Sequence, residues 1–183
     1  MNMLIAGLAL FLGVHSISIV APAWRERMVA RMGKGAWRAI YSVISIVGFL
    51  MIIWGYGAAR QTPAVLYVPP SEMHYVSLAL MLPVFPLLFA AYMPGRIKTA
   101  TKHPMLLAII LWSLAHLFSN GTLADLLLFG GFLTWAVLDR ISVVWSTLPG
   151  SRANDLVAVM GGLAVYAVFV LWLHQRWFGV PVV

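Results

Sequence analysis

Six runs of the chain are continuously apolar, and each is closed by a cluster of polar, basic or helix-breaking residues. Their lengths predict helices at about 2–21, 36–58, 74–92, 104–118, 122–141 and 154–176. Within the runs apolar residues do not alternate with polar ones, which rejects the strands of a membrane barrel. A helix of about 20 residues crosses roughly 30 Å of hydrocarbon. Only helices and closed barrels cross lipid with every backbone group hydrogen-bonded. The predicted fold is therefore all-α, a polytopic transmembrane helical bundle of about six helices. Pro83 and Pro86 should bend the third helix, because each removes a backbone donor. Gly55 with Gly57, Gly130 with Gly131, and Gly161 with Gly162 mark expected close approaches between helices. No long linker or internal repeat interrupts the pattern, so residues 1–183 are expected to form a single domain.

Composition agrees with a lipid solvent. The chain is 62% hydrophobic and only 9% charged, against about 25% charged in soluble domains. It has no cysteine, which removes disulfides, thiolate ligands and covalent haem attachment. The net charge of +7 lies in short loops. Arg25, Arg27, Arg31, Lys34 and Arg38 flank the first; Arg96, Lys98 and Lys102 fill the third; Arg140 and Arg152 bracket the fifth. Such alternation signals membrane topology, not a nucleic-acid surface, and puts both termini outside the cytoplasm. Met1–Val20 has no basic n-region, so it is expected to stay as the first helix, although Ala21-Pro22-Ala23 has the form of a cleavage site. Trp24 to Lys34, with Met28 and Met32 four apart, reads either as a short amphipathic turn lying beside anionic headgroups or as a solvated topogenic loop.

Ionisable residues inside a bilayer are costly and therefore candidates for chemistry. His74 and His174 fall at outer interfaces, where water hydrates them. His103 opens the fourth helix ahead of Pro104, as a headgroup or acidic-ligand contact or as helix-start punctuation. His15 lies about 10 Å, and His116 about 18 Å, from the cytoplasmic ends of their helices at 1.5 Å per residue. The two thus share a depth near the midplane on different helices. Facing imidazoles supply both axial ligands to a b-type haem iron. The alternative is that each bonds across a helix interface, with Ser16, Ser18, Ser113 or Ser119 as partners. Asp125, three residues after Thr122, reads as a helix cap. Asp139 and Arg140 read as an interfacial pair closing the fifth helix.

The stretch from Gly7 to Ser16, the block from Lys102 through Trp112-Ser113-Leu114-Ala115-His116 to Asn120-Gly121, and Leu128 to Phe132 together resemble the NnrU family of bacterial membrane proteins. That resemblance implies a multi-pass protein of the bacterial inner (cytoplasmic) membrane supporting nitrite and nitric oxide metabolism in denitrification, with a membrane reductase complex as partner. The same blocks resemble the related 15-cis-zeta-carotene isomerases, whose haem b ligands correspond to His15 and His116. This implies haem b held between these two histidines, with His103 at its edge. The isomerases carry a cysteine where this chain has Ser113, and a hydroxyl is a poor iron ligand at neutral pH. A haem-dependent isomerase or oxidoreductase acting on a lipid-soluble substrate, and a cofactor-free assembly factor for a membrane reductase, are the alternative functions. Lys102-His103-Pro104 also resembles a motif of membrane methyltransferases, but their acidic C-terminal motif is missing here.

The loop charges make a direct prediction. Reporter fusions after Lys34, Lys98 and Arg152 should report cytoplasm, and fusions after Arg60 and Arg176 the opposite side. Lys34 and Lys98 on opposite faces would refute the six-helix reading.

Overall fold

The structure, a computed structural model, describes residues 1–142 and 150–182. Most of the predicted fifth loop, between Arg140 and Arg152, lies outside the described residues. The helices are α1 (Asn2–Val20), α2 (Pro22–Ala59), α3 (Met73–Met81), α4 (Val84–Tyr92), α5 (Arg96–Thr101), α6 (Pro104–Ser119), α7 (Leu123–Ser142) and α8 (Arg152–Val168); α8 continues through a π-helical turn, Phe169–Leu173, into α9 (His174–Phe178). Among the described residues the only β-type pairings are the isolated bridges Val65–Thr122 and Gly95–Ser151.

Asn2–Val20, Pro22–Ala59, Met73–Tyr92 and Arg152–Phe178 are each long and apolar enough to cross a membrane. α6 is shorter, at 16 residues, and α7 carries Asp125, Asp139 and Arg140 near its ends. Each of the six predicted helices is thus present, and the protein is a polytopic helical membrane protein. Its outward side chains show the solvent: Val43 is 61%, Ile46 57% and Trp54 62% exposed on one helix, a face that water would penalise and lipid does not.

The described residues form two compact units, Met1–Pro69 with Asn120–Val143, and Pro70–Ser119 with Val144–Val183. In the first, α1 packs along α2, with α7 against α1. Small residues allow the approach. A methyl group on Gly48 would lie 2.9 Å from the Phe11 amide nitrogen, and one on Gly55 would strike the Leu4 backbone. Gly57 meets nothing within 4 Å. Gly57 lies two positions beyond Gly55, about 200° further round the helix, so it points away from α1.

α2 is broken at Gly33, whose φ of 84 and ψ of 155 suit a residue without a side chain. Residues 22–32 form a separate helical arm, bearing Arg25, Arg27 and Arg31, before the long helix of residues 34–59. Of the two readings of this segment, the helical one is found. At the other end of α2, the loop after Arg60 is tied to the start of α7. Leu66 and Tyr67 donate their amides to the Gly121 carbonyl at 2.8 and 3.1 Å, and Leu123 donates to Ala64 at 2.8 Å. The Tyr67 hydroxyl donates to the Asn120 carbonyl at 2.7 Å. Burial first, then the Asp125 carboxylate, pushes this phenol above its ordinary pKa, which keeps the proton it donates. Asp125 caps α7 as expected: its Oδ2 accepts from the Thr122 amide (3.0 Å) and hydroxyl (2.6 Å), and its own amide donates to Thr122 Oγ1 at 3.2 Å. Its Oδ1 takes the Tyr56 hydroxyl at 2.6 Å, so this buried carboxylate has both oxygens bonded.

In the second unit the predicted bend falls at Leu82 and Pro83, between α3 and α4, where the backbone keeps helical dihedrals. Pro86 falls in the first turn of α4, where a missing amide costs no helical bond. It is also where α8 comes in, since a methyl on Gly162 would strike the Pro86 backbone. Serines lock α3 to α6: Ser77 Oγ donates to the Ala115 carbonyl at 2.7 Å and accepts from Ser119 Oγ at 2.6 Å. The Tyr166 hydroxyl of α8 donates to the Leu78 carbonyl at 3.0 Å. The third basic loop holds the unpredicted α5, whose Ile97 amide donates to Asp155 Oδ1 at 3.0 Å. Lys98 Nζ meets the Ala91 carbonyl, near the end of α4, at 2.7 Å. Lys102, at φ 63 and ψ −51, then turns the chain sharply into α6.

The glycine contacts give a stability prediction. Gly48→Leu should destabilise the protein in detergent by about 1–3 kcal/mol through overpacking, whereas Gly57→Leu should stay within about 0.5 kcal/mol. Thermal unfolding followed by circular dichroism checks both; equal losses would show that the α1–α2 approach is not what holds this unit.

Candidate functional site

His15 lies in the first unit and His116 in the second, yet their local arrangements match. His15 Nδ1 is 2.7 Å from the Phe11 carbonyl, four residues back on α1. His116 Nδ1 is 2.8 Å from the Trp112 carbonyl, four residues back on α6. A carbonyl oxygen can only accept, so in each neutral ring Nδ1 carries the hydrogen and Nε2 carries the lone pair. This is the tautomer that metal-ligating histidines adopt, with the second nitrogen held by a fixed acceptor.

Both rings are half-buried against aromatics. His15 stacks on Phe11 with centroids 4.2 Å apart and planes 28° from parallel. Tyr41 of α2 closes one side at 5.1 Å and Trp135 of α7 meets it edge-on at 5.9 Å. Three helices of one unit thus build this niche. Trp135 Nε1 is buried there without a hydrogen-bond partner among the described residues. His116 packs on Trp112 at 5.3 Å. In both cases the residue four before the histidine supplies a carbonyl to the ring nitrogen and an aromatic face to the ring. That Phe-x3-His and Trp-x3-His spacing stands in the sequence, and it is the signal that depth arithmetic alone overlooked.

Three of the four serines expected as histidine partners have other acceptors. Ser16 donates to the Leu12 carbonyl at 2.7 Å, Ser18 to the His15 main-chain carbonyl at 3.1 Å, and Ser119 to Ser77. Ser113 is fully buried, and its Oγ has no partner among the described residues. His103 sits half-buried in the turn between α5 and α6; its amide donates to the Thr101 carbonyl at 2.7 Å, and its carbonyl accepts from the Leu107 amide at 3.3 Å. It therefore starts α6, beside the strained Lys102. His74 lies at the start of α3 with its ring near Tyr75. His174 bonds through Nδ1 to the Val180 carbonyl at 2.8 Å, across the left-handed Gly179. That bond gives it a structural task, closing the C-terminal turn.

Among the described residues no three His, Asp or Glu side chains converge as a metal cluster would require. A haem iron asks less, namely two imidazoles with outward Nε2 lone pairs and apolar walls, and the donor chemistry at His15 and His116 fits that demand. No curated protein and no solved structure matches this chain. A family model described as NnrU protein matches residues 3–182, nearly the whole length, and the chain belongs to the NnrU family.

Proposed function

We propose that this chain is a haem b protein of the bacterial inner membrane supporting nitrite and nitric oxide metabolism, with both termini periplasmic and a membrane reductase complex as the partner it serves. His15 and His116 would hold the haem, each through its Nε2 lone pair. The observation that carries this reading is the shared tautomer: on separate helices, each histidine gives its Nδ1 proton to the i−4 carbonyl and keeps its lone pair on Nε2.

Bound haem supplies an iron that exchanges one electron and takes small ligands. The residues of the chain do the rest. The Phe11 and Trp112 carbonyls fix the orientation of the imidazoles and raise their basicity as ligands. Phe11, Tyr41 and Trp135 keep water from His15. Lys102 would supply positive charge, and His103 a ring nitrogen, for a propionate at the start of α6. Ser113 offers a hydroxyl where the isomerases have a thiol, which counts against a thiolate ligand switch and hence against isomerase chemistry.

Protein purified in detergent from cells supplied with haem precursor should show a Soret band and a low-spin spectrum. His15→Ala and His116→Ala should each lose haem or become high-spin, because water does not readily replace an imidazole inside a low-dielectric site. His74→Ala and His174→Ala should keep the spectrum. Ser113→Cys should leave the resting spectrum unchanged, and a redox-dependent shift in that variant would restore the isomerase analogy. No Soret band in the wild type would sink the haem reading and leave the cofactor-free accessory role.

A further inference from the structure

The basic arm does more than mark topology. It leans over the end of α1 and the start of the long helix of α2, and the three enclose a cleft of about 870 Å³ within the first unit. That volume lies in the range of small-molecule sites, roughly 300–1,000 Å³. Its walls divide by chemistry. Arg25, Lys34 and Arg38 line it with a single acid, Glu26, a local balance of three positive against one negative, or +2. Val14, Ile17 and Val29 supply an apolar wall, and Trp37 and Tyr41 stand where interfacial aromatics belong. Trp24 on the arm meets Trp37 on the long helix edge-to-face at 5.9 Å, which braces the cleft across the Gly33 break.

A cationic mouth joined to an apolar wall at the end of membrane helices suits a molecule with one anionic end and one hydrocarbon end. We propose that this cleft binds an anionic phospholipid, with its phosphate against Arg25, Lys34 and Arg38 and its glycerol and upper acyl carbons along Val14, Ile17 and Val29. All three cations are exposed, and a phosphodiester offers each of them an acceptor. Gly33, with open space at its Cα, leaves the mouth unobstructed. Neither His15 nor His116 lines the cleft, although Tyr41 borders both the cleft and the His15 ring.

Native mass spectrometry of the detergent-solubilised full chain, titrated with phosphatidylglycerol or phosphatidylcholine, tests it. Phosphatidylglycerol should bind about tenfold more tightly or better, given the pull of several cations on an anionic lipid. The triple variant Arg25→Gln, Lys34→Gln, Arg38→Gln should lose that preference, and Arg38→Lys should keep most of it. Arg96→Gln with Lys98→Gln, in the other basic loop, should leave it intact. Equal binding of the two lipids by the wild type, loss of the preference in the Arg96/Lys98 variant alone, or displacement of the lipid by millimolar inorganic phosphate would overturn the proposal.

Discussion

Hydrocarbon offers no hydrogen bonds, and the local chemistry of this protein follows from that lack. A polar side chain in a membrane helix must find its acceptor on its own helix or a neighbouring one. The nearest acceptor is the carbonyl four residues back, whose second lone pair is unused. Ser16 turns to Leu12 and Thr134 to Gly130 by this route. His15 and His116 do the same toward Phe11 and Trp112. For a serine the result is only a satisfied hydroxyl. For a histidine the same bond selects the tautomer, and with it the nitrogen that holds the lone pair. A rule of solvation thus sets the tautomer of each ring.

The same lack explains how the helices are interrupted. Each break lies near groups that satisfy or tolerate it. Gly33, between the arm and the long helix, takes a positive φ that glycine tolerates without strain. The break at Leu82 and Pro83 keeps helical dihedrals, and the Leu82 amide still donates to Leu78 at 3.1 Å. The loop after α2 borrows the Gly121 carbonyl for two amides, so an irregular segment beside membrane helices leaves little backbone unpaired. Packing then depends on small side chains, since apolar contact between helices gains little when lipid is equally apolar. This is why Gly48 and Gly55 face α1 closely while large residues of α2 point outward.

Much of this was legible in the sequence because the strongest signals are long. Runs of about twenty apolar residues specify helices whatever packs beside them, so the six predicted segments agree with the structure to within a few residues. Thr122 and Asp125 announced their capping box, since that motif is local. Contacts between helices were less readable. Gly55 was identified as a packing glycine, but its neighbour Gly57 was wrongly paired with it, and Gly7 and Gly48 were missed. Helix-to-helix register depends on which face is inward, and that is set by side chains distant in sequence. The serine partners were misassigned for the same reason: Ser119 bonds Ser77, a residue 42 positions away. The α5 helix escaped notice because its six residues carry no apolar period, and Asp155, which holds its amide end, lies far along the chain.

Where the solvation rule fails is as informative as where it holds. Trp135 Nε1 and Ser113 Oγ are among the buried polar side-chain atoms that have no hydrogen-bond partner among the described residues, and each lies on an element close to His15 or His116. Trp135 meets the His15 ring at 5.9 Å, and Ser113 is three residues before His116 on α6. A buried polar group left unbonded costs about 1–3 kcal/mol, and phenylalanine or alanine would remove that cost at similar shape. Proteins break local rules chiefly at sites kept for chemistry. The indole thus adds an unbonded polar group to the His15 niche, and the hydroxyl adds one to the helical turn before His116. They also set those two apart from His174, whose Nδ1 bond to Val180 serves the folding of a C-terminal turn.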